Sequence, residues 1–353
     1  MKLLIINPGG TSTKVSVFED KEELFKLNLT HTADDLKEYD TVFDEFEFRK
    51  SIVMKAIEEN GVAVKDLGCV VGRGGLLKEI EGGTYPVNDI MIDDVRKAIR
   101  GEHASNLGCV LAKSIADEAG VPSFIVDPVS TDEFEAISRY TGISDLENPS
   151  WLHALNHKAV CRATAEELGG KYADFNFIVA HLGSGISIVA HKNGRMVDGS
   201  GGRSNGPFSP ERSGQLPTYP LINLCYSGKY THKEMIAKVS SIGGMYDYLG
   251  TKDAQDIEQR AEAGEPKAKE VMDAFCYQVS REIASYSASL NGKVDRIILT
   301  GGIAYSKYVA KVVEERCGFI APLVIKAGEK EMDSMALGAL RVLNGEEEPQ
   351  EYK

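Results

Sequence analysis

The stretch Phe177-Ile-Val-Ala-His-Leu-Gly-Ser-Gly-Ile-Ser-Ile-Val-Ala-His-Lys-Asn-Gly194 restricts the fold more than any other part of the chain. Residues 177–180 are a continuous apolar run that reads as a buried strand. Gly183 and Gly185 bracket Ser184, a second apolar run returns over residues 186–190, and Asn193-Gly194 is a strong two-residue hairpin signal. Glycine lets the backbone approach a ligand, and successive N–H groups in such a turn make an anion-binding nest. Residues 3–18 repeat the plan, with a strand over 3–6, the polar loop Asn7-Pro-Gly-Gly-Thr-Ser-Thr-Lys14 and a return strand over 15–18. One copy alone reads as an ordinary surface hairpin. Two copies half a chain apart predict an α/β protein of two related halves, each presenting a phosphate-facing hairpin, with a cleft between them.

Length supports that reading, since 353 residues suit two domains with a core each. The formal net charge of −13 argues against a nucleic-acid partner, whose phosphates need a basic surface. It also repels anions at long range, so an anion site has to be built locally from glycine loops and a few placed cations. Cys69, Cys109, Cys161, Cys225, Cys276 and Cys317 are scattered without a C-x-x-C pair. That pattern predicts reduced thiols in a cytoplasmic protein rather than disulfides or zinc. Met1-Lys2 is followed by only four apolar residues, so no secretory signal is expected, and no apolar run reaches membrane-span length.

Along the chain, residues 19–47 are polar and acidic and read as meander and loop, and a helix is expected over 48–60. A strand over 68–72 runs into Arg73-Gly74-Gly75, readable as a solvated loop arginine or as an anion ligand. Helices are expected over 89–100 and 107–119, with His103 just ahead of the second. The strand 123–126 carries Asp127 at its C-terminal end, the edge at which open α/β sheets gather ligands; Pro128 leaves a turn role open. A helix from Pro149 to 168 would hold His153 in its first turn, where the positive helix end favours anions. His157 follows at i+4, but no third ligand is evident, so zinc is set aside. The domain change is expected in this helix, giving residues 1–157, joined by the C-terminal helix 331–345, and residues 158–330. Residues 198–217 are too rich in glycine and proline for regular structure and predict a functional loop carrying Arg203 and Arg212. The helix 266–290 has one apolar stripe (Val271, Phe275, Val279, Ile283, Tyr286, Leu290), which suits core or a subunit interface. A strand over 296–299 leads to the tight turn Thr300-Gly301-Gly302, and helices over 306–316 and 332–344 close the chain.

There is no G-x-x-x-x-G-K-[ST] loop, no G-x-G-x-x-G after the first strand and no protein-kinase motif set. Two glycine hairpins, a third glycine turn, strand-end and loop acids and a few cations remain. These suit phosphoryl transfer, which needs positioning and charge stabilisation more than covalent chemistry. Asn7, Asp127 and Glu331 offer hard oxygen donors for Mg²⁺, directly or through water. Cationic side chains and glycine N–H groups could hold the phosphoryl group.

These residues carry a resemblance. Asn7 to Lys14, Val71-Gly-Arg-Gly-Gly75 with Glu81-Gly-Gly-Thr-Tyr85, Phe124-Ile-Val-Asp-Pro-Val129 and His153-Ala-Leu-Asn156 stand in order in the first half. His181-Leu-Gly-Ser-Gly185, Gly206-Pro-Phe-Ser-Pro-Glu-Arg-Ser-Gly214, Thr300-Gly-Gly-Ile-Ala-Tyr-Ser306 and Gly328-Glu-Lys-Glu-Met332 follow. The chain resembles the acetate and sugar kinase, chaperone ATPase and actin superfamily, and within it the butyrate kinases of the acetokinase family. The resemblance implies two lobes of the actin-like, ribonuclease-H-like type with an interdomain nucleotide cleft. It implies reversible, ATP-dependent phosphorylation of a short-chain fatty acid (butyrate or a branched relative) by in-line transfer, after closure excludes water. By that similarity Asn7 and Glu331 would sit at the Mg²⁺, and Thr11, Ser12, Thr13 and Lys14 would lie along the phosphates. Asp127 would be the acid/base or orienting carboxylate. His153 and Arg212 would stabilise the phosphoryl group in flight, and His181, Gly183, Ser184 and Gly185 would wrap the ATP phosphates. Gly301, Gly302 and Ser306 would bound the adenosine, His103 matches a further active-site histidine, and Arg73 lies beside the position that meets the substrate carboxylate. Gly10 stands where these kinases usually carry serine, and Ser184 where they carry glycine or asparagine. A cytoplasmic homo-oligomer with no membrane partner is implied. The same fold acting on another carboxylate or a sugar, or serving as a non-catalytic ATP-binding switch, are the alternatives.

Overall fold

Both glycine hairpins open a β-sheet in the computed structural model, which describes residues 1–201 and 205–353. Arg203 lies outside the described residues. Backbone contacts gather residues 1–132 and 330–353 into one unit and residues 133–329 into a second.

The first unit holds six strands, β1 (Lys2–Pro8), β2 (Ser12–Glu19), β3 (Glu22–Thr30), β4 (Leu67–Gly72), β5 (Thr84–Pro86) and β6 (Ser123–Val126), in the order β3-β2-β1-β4-β6-β5. β1, β4 and β6 run parallel, and β1 and β2 form the antiparallel hairpin. Leu3 to Ile6 are all fully buried, as expected of a central strand covered on both faces. The helices Phe46–Glu59 and Leu107–Ala119 close one core through Val53, Ile57, Leu107, Leu111 and Ile115. The C-terminal helix Glu331–Leu343 packs on the sheet, where a Cβ on Gly338 would come within 2.4 Å of Val126. β3 was read as meander. Its alternating Phe25, Leu27 and Leu29 face the sheet's apolar side within an acidic segment, which hides the period of two.

The second unit holds β7 (Phe177–Leu182), β8 (Ile186–Lys192), β9 (Arg195–Gly201), β10 (Arg296–Gly301) and β11 (Leu323–Ala327) in the order β11-β10-β7-β8-β9. That order repeats β6-β4-β1-β2-β3, including the antiparallel hairpin and the parallel strands, so the two halves share a topology. Asn193 and Gly194 have φ of 53° and 76°, the type I′ geometry their sequence specifies. β9 corrects the expectation of irregular structure from residue 198. Its glycines mark close approach rather than disorder, since a Cβ on Gly201 would lie 2.2 Å from the Trp151 carbonyl oxygen. The helix Pro266–Tyr286 buries its whole stripe in this unit's core. Glu133, the first residue of the unit, anchors the chain there by accepting from Lys158 Nζ at 2.8 Å and from the Met196 amide at 2.8 Å.

All six cysteines are free and five are buried. Burial pushes the Cys69, Cys109 and Cys276 thiols up to about 12, which keeps them protonated and inert. Among the described residues no helix is long and apolar enough to cross a membrane.

Candidate active site

In the first unit the β1–β2 turn is closed by the Gly9 amide, which donates to the Ser12 carbonyl at 2.7 Å. Strand alternation then divides the loop's side chains. Lys14 is exposed and Ser12 half-buried, whereas Thr13 is fully buried. The Thr13 hydroxyl accepts from Arg49 Nη1 at 2.9 Å and lies 2.9 Å from His31 Nε2. Thr13 thus ties the loop down from beneath through these two contacts. Arg49 is fully buried, donates to the Ser12 carbonyl at 3.3 Å and the Gly10 carbonyl at 3.4 Å, and pairs with Glu45 at 2.7 Å. Sequence reasoning missed it, although it shares a helical stripe with buried Val53, Ala56 and Ile57. Burial, and then the Arg49 charge, lower the His31 pKa, so that ring is neutral near pH 7. Arg49→Met is expected to cost about 3 kcal/mol of stability in urea unfolding, because Glu45 and the loop carbonyls lose their partner.

Asn7, Arg73 and Glu331 are brought together. Asn7 Nδ2 donates to Glu331 Oε2 at 2.8 Å, and Arg73 Nη2 lies 3.2 Å from Glu331 Oε1. Arg73 Nη1 is buried without a hydrogen-bond partner, so this is no solvated loop arginine. Its turn is wedged between neighbours, with a Cβ on Gly74 reaching to 2.4 Å from Pro128 and one on Gly75 to 2.6 Å from Asn106. Asp127 thus adjoins the Arg73 turn through Pro128. Asp127 is fully buried at φ 38°, and its Oδ1 accepts from the Gly83 amide at 2.8 Å. A left-handed residue before proline is doubly unfavourable, and such strain gathers at functional positions. His103 caps the turn Ala104–Asn106. Its Nδ1 accepts from the Ser105 amide at 3.2 Å, which leaves Nε2 to carry the proton of the neutral ring.

In the second unit the helix expected from Pro149 starts five residues later, at Ala154. His153 is its N-cap rather than a first-turn residue. The preceding segment is instead spent on packing, with Leu152 buried against Val189 and Met196. His153 Nδ1 lies 2.8 Å from Ser187 Oγ, and its ring stacks on His181 with centroids 3.9 Å apart. His181 was expected among the phosphate-wrapping groups. Its ring is 1% exposed and held from both edges, by the Asn156 amide at 2.9 Å and by Glu329 at 3.1 Å, so it braces His153 from beneath.

The β7–β8 turn closes through the Gly183 amide, which donates to the Gly185 carbonyl at 3.1 Å. The loop beyond β9 is strapped to it. Ser209 Oγ donates to the Ser184 carbonyl at 2.6 Å and accepts from the Arg212 amide at 3.1 Å. That strap lays the Arg212 guanidinium on Gly185, where a Cβ would lie 2.7 Å from Nη1. Gly185→Ala is expected to displace the guanidinium and leave the fold intact, because the obstructed group is a flexible side-chain end. The measurement is a kcat reduced about tenfold with the melting temperature within about 3 °C of the parent.

Gly183, Ser184, Gly302 and Ser306 line one cavity of about 760 Å³, within the range of nucleotide-sized pockets. Gly301 lies behind it at φ 82°, and a Cβ there would sit 2.4 Å from the Leu182 carbonyl oxygen, so only glycine fits. Lys252 and Glu258, also in the wall, were not foreseen, as no motif surrounds them. Glu258 accepts from Ser306 Oγ at 2.8 Å. Among the described residues no cluster of three or more His, Cys, Asp or Glu has metal-binding geometry.

A family model described as the acetokinase family matches residues 151–348. Butyrate kinase 1 of Clostridium acetobutylicum is 47% identical over 353 residues, covering 100% of this chain and 99% of the relative. Among solved structures, an acetate kinase from Porphyromonas gingivalis superposes with a TM-score of 0.80 at 19% identity, over 97% of this chain and 99% of that one. A propionate kinase from Francisella tularensis superposes with a TM-score of 0.73 at 18% identity, over 96% and 98%. The α/β fold of the actin-like ATPase type anticipated from the sequence is thus the fold found.

Proposed function

Because the chain belongs to the acetokinase family, we propose that it is an ATP-dependent kinase of short-chain carboxylates that prefers butyrate or a branched relative. The observation that carries the reading is the identity to a butyrate kinase along the full length of both chains. Reaction chemistry follows from the acceptor. A carboxylate oxygen attacks the γ-phosphorus in line, the new O–P bond forms, and the bond to the ADP oxygen breaks, giving the acyl phosphate.

ATP is assigned to the 760 Å³ cavity of the second unit, with its phosphates at the Gly183–Gly185 turn. Thr11, Ser12 and Lys14 of the first unit are assigned as phosphate ligands on the family resemblance. Arg212 and His153 donate to the equatorial oxygens of the moving phosphoryl group. Asp127 orients the acceptor, and His103 supplies a further Nε2–H donor. Glu331 is the carboxylate that would hold Mg²⁺, which takes one or two carboxylates and fills its shell with water and phosphate oxygens, and the Asn7 amide that donates to it at 2.8 Å would orient it and offer its own oxygen. When bound there, Mg²⁺ would neutralise charge on the β- and γ-phosphate oxygens. Arg73 is assigned to the substrate carboxylate through Nη1, the buried donor that lacks a partner. Arg73→Ala is then expected to raise the Michaelis constant for the acid about 10–100-fold, the loss of one charge-assisted hydrogen bond, with the constant for ATP nearly unchanged.

The test is an ATP-dependent hydroxamate assay across straight and branched acids of increasing length, with sugars as controls. Trapped acyl phosphate peaking at four or five carbons supports the reading. A peak at another acid moves the substrate within the family. No hydroxamate from any acid, with ATP still bound, would leave only a non-catalytic ATP-binding switch.

A further inference from the structure

The second unit contains four histidines in contact, of which the proposed mechanism uses only His153 directly. Behind it lies a single file of polar groups. His153 Nδ1 is 2.8 Å from Ser187 Oγ, and Ser187 Oγ is 2.7 Å from His157 Nε2. His157 Nδ1 is 3.2 Å from His191 Nε2, and His191 Nδ1 is 2.6 Å from the Tyr172 hydroxyl. Ser187, His157 and His191 are 0% exposed and Tyr172 is 8% exposed. We propose that this file, Tyr172–His191–His157–Ser187, fixes the tautomer of His153 so that Nε2–H is the donor presented to the phosphoryl group. The inference rests on the assignment of His153 above and deepens it.

The reasoning is one of proton counting. Burial, and then the neighbouring rings of His191, His181 and His153, keep the His157 pKa well below that of ordinary histidine. Burial, and then the Lys158 ammonium, do the same for His191. Both rings are therefore neutral and hold one proton each. A neutral ring bonded at both nitrogens must donate at one and accept at the other. From Tyr172 to His157 every hydrogen bond must then point the same way; at Ser187, whose hydroxyl has one proton and can accept twice, burial makes His153 Nδ1 the acceptor for that proton once His157 Nε2–H donates to the oxygen.

If Tyr172 donates to His191 Nδ1, the His191 proton sits on Nε2 and is given to His157 Nδ1. His157 Nε2–H donates to Ser187, and the Ser187 hydroxyl donates to His153 Nδ1. The His153 proton is left on Nε2. The opposite polarity puts the proton on Nδ1 and leaves Nε2 without one. A phosphoryl group offers only acceptor oxygens, so the first polarity alone is productive.

The groups around the file support a fixed dipole rather than a proton store. Lys158, 3% exposed and paired with Glu133 at 2.8 Å, sits over the Tyr172 ring at 5.6 Å and opposes a second positive charge on His191. His181 stacks on His153 at 8° to its plane and is itself held by Asn156 and Glu329, so the His153 ring is fixed in orientation as well as protonation. Ser187, His157, His191 and Tyr172 are positioning residues, since each acts through His153.

The test uses the full chain labelled with ¹⁵N-histidine, in which long-range ¹H–¹⁵N correlation separates protonated from bare ring nitrogens; His153→Gln assigns the His153 signals. The expected result is Nε2–H at His153 in the parent and a tautomer mixture in Ser187→Ala. Turnover should fall about 10–100-fold in that variant with Michaelis constants within about twofold, and Ser187→Thr should restore it. Tyr172→Phe removes one hydroxyl at the far end of the file. It keeps the test alive if Ser187→Ala fails to fold, and it should also give mixed tautomers at His153. Nδ1–H at His153 in the parent, or an unchanged tautomer in the folded variants, overturns the inference. The tautomer is read without turnover. A chain that shows the Nε2–H file but makes no acyl phosphate refutes the kinase reading alone, and an active kinase with the wrong tautomer refutes the file alone.

Discussion

Replacing Arg212 by alanine is expected to lower kcat by about 10²–10³-fold while the Michaelis constant for ATP moves by no more than about threefold. The asymmetry follows from how the side chain is held. Ser209 ties the Arg212 amide to the Ser184 carbonyl, and the guanidinium rests on Gly185, so its position is set by the protein's own contacts. A preset cation gains most where charge develops, on the equatorial oxygens of a phosphoryl group between two partners. It gains less on the ground-state triphosphate, which the glycine amides and Lys14 are assigned to hold. His153→Ala should behave alike, with a smaller loss, because it removes one donor rather than a forked guanidinium. Arg212→Lys should recover only part of the rate, since a point charge on a flexible stem replaces a planar fork. Initial rates with ATP and butyrate varied independently decide the matter. Equal losses in kcat and in ATP affinity would place Arg212 in ground-state binding instead.

What the sequence disclosed and what it hid divide along physical lines. Features set by local backbone chemistry were legible. The Asn193-Gly194 turn, the Gly183 and Gly185 turn, the strand end at Asp127 and the Gly301 turn all need residue types that announce themselves. Arg73 and Arg212 stood out as cations on glycine-rich turns. Features set by which way a side chain faces were less legible. Thr13 and Lys14 are adjacent and both polar, yet alternation sends one into the core and the other to solvent. Arg49 looks like a surface residue until the Val53 and Ile57 stripe is drawn through it. β9 was hidden because glycines that allow close packing are spelled like glycines that make loops. Beside His157, on its helix, stands a third histidine that local spacing could not show, His191 of β8, and their contact is a hydrogen bond rather than shared ligation.

Acid should unfold this protein earlier than its carboxylates alone would dictate. His157 and His191 have native pKa values well below ordinary histidine, and His31 is also lowered. In the unfolded chain all three regain a value near 6.5. Below that pH the unfolded state binds protons that the native state refuses, so the unfolded state holds more protons and stability falls as pH falls. Each fully refused proton costs about 1.4 kcal/mol per pH unit, so His157 and His191 together give a slope of about 2.7 kcal/mol per unit between pH 6.5 and their native values. Above about pH 7 the contribution is flat and complete. Asp198 works in the opposite direction, because burial raises its carboxyl and protonation is then less unfavourable in the native state, but its window opens from the aspartate range. Asp35 and Glu234 are lowered by their capping hydrogen bonds and lose stability only in more acidic solution. Urea unfolding at half-unit steps from pH 7.5 to 5.5 isolates the histidine window. His157→Gln, which keeps a polar group but cannot titrate, should remove about half of the slope. A stability that stays level from pH 6.5 to 5.5 would mean that the buried rings accept protons in the native state, and with that the fixed file behind His153 would lose its basis.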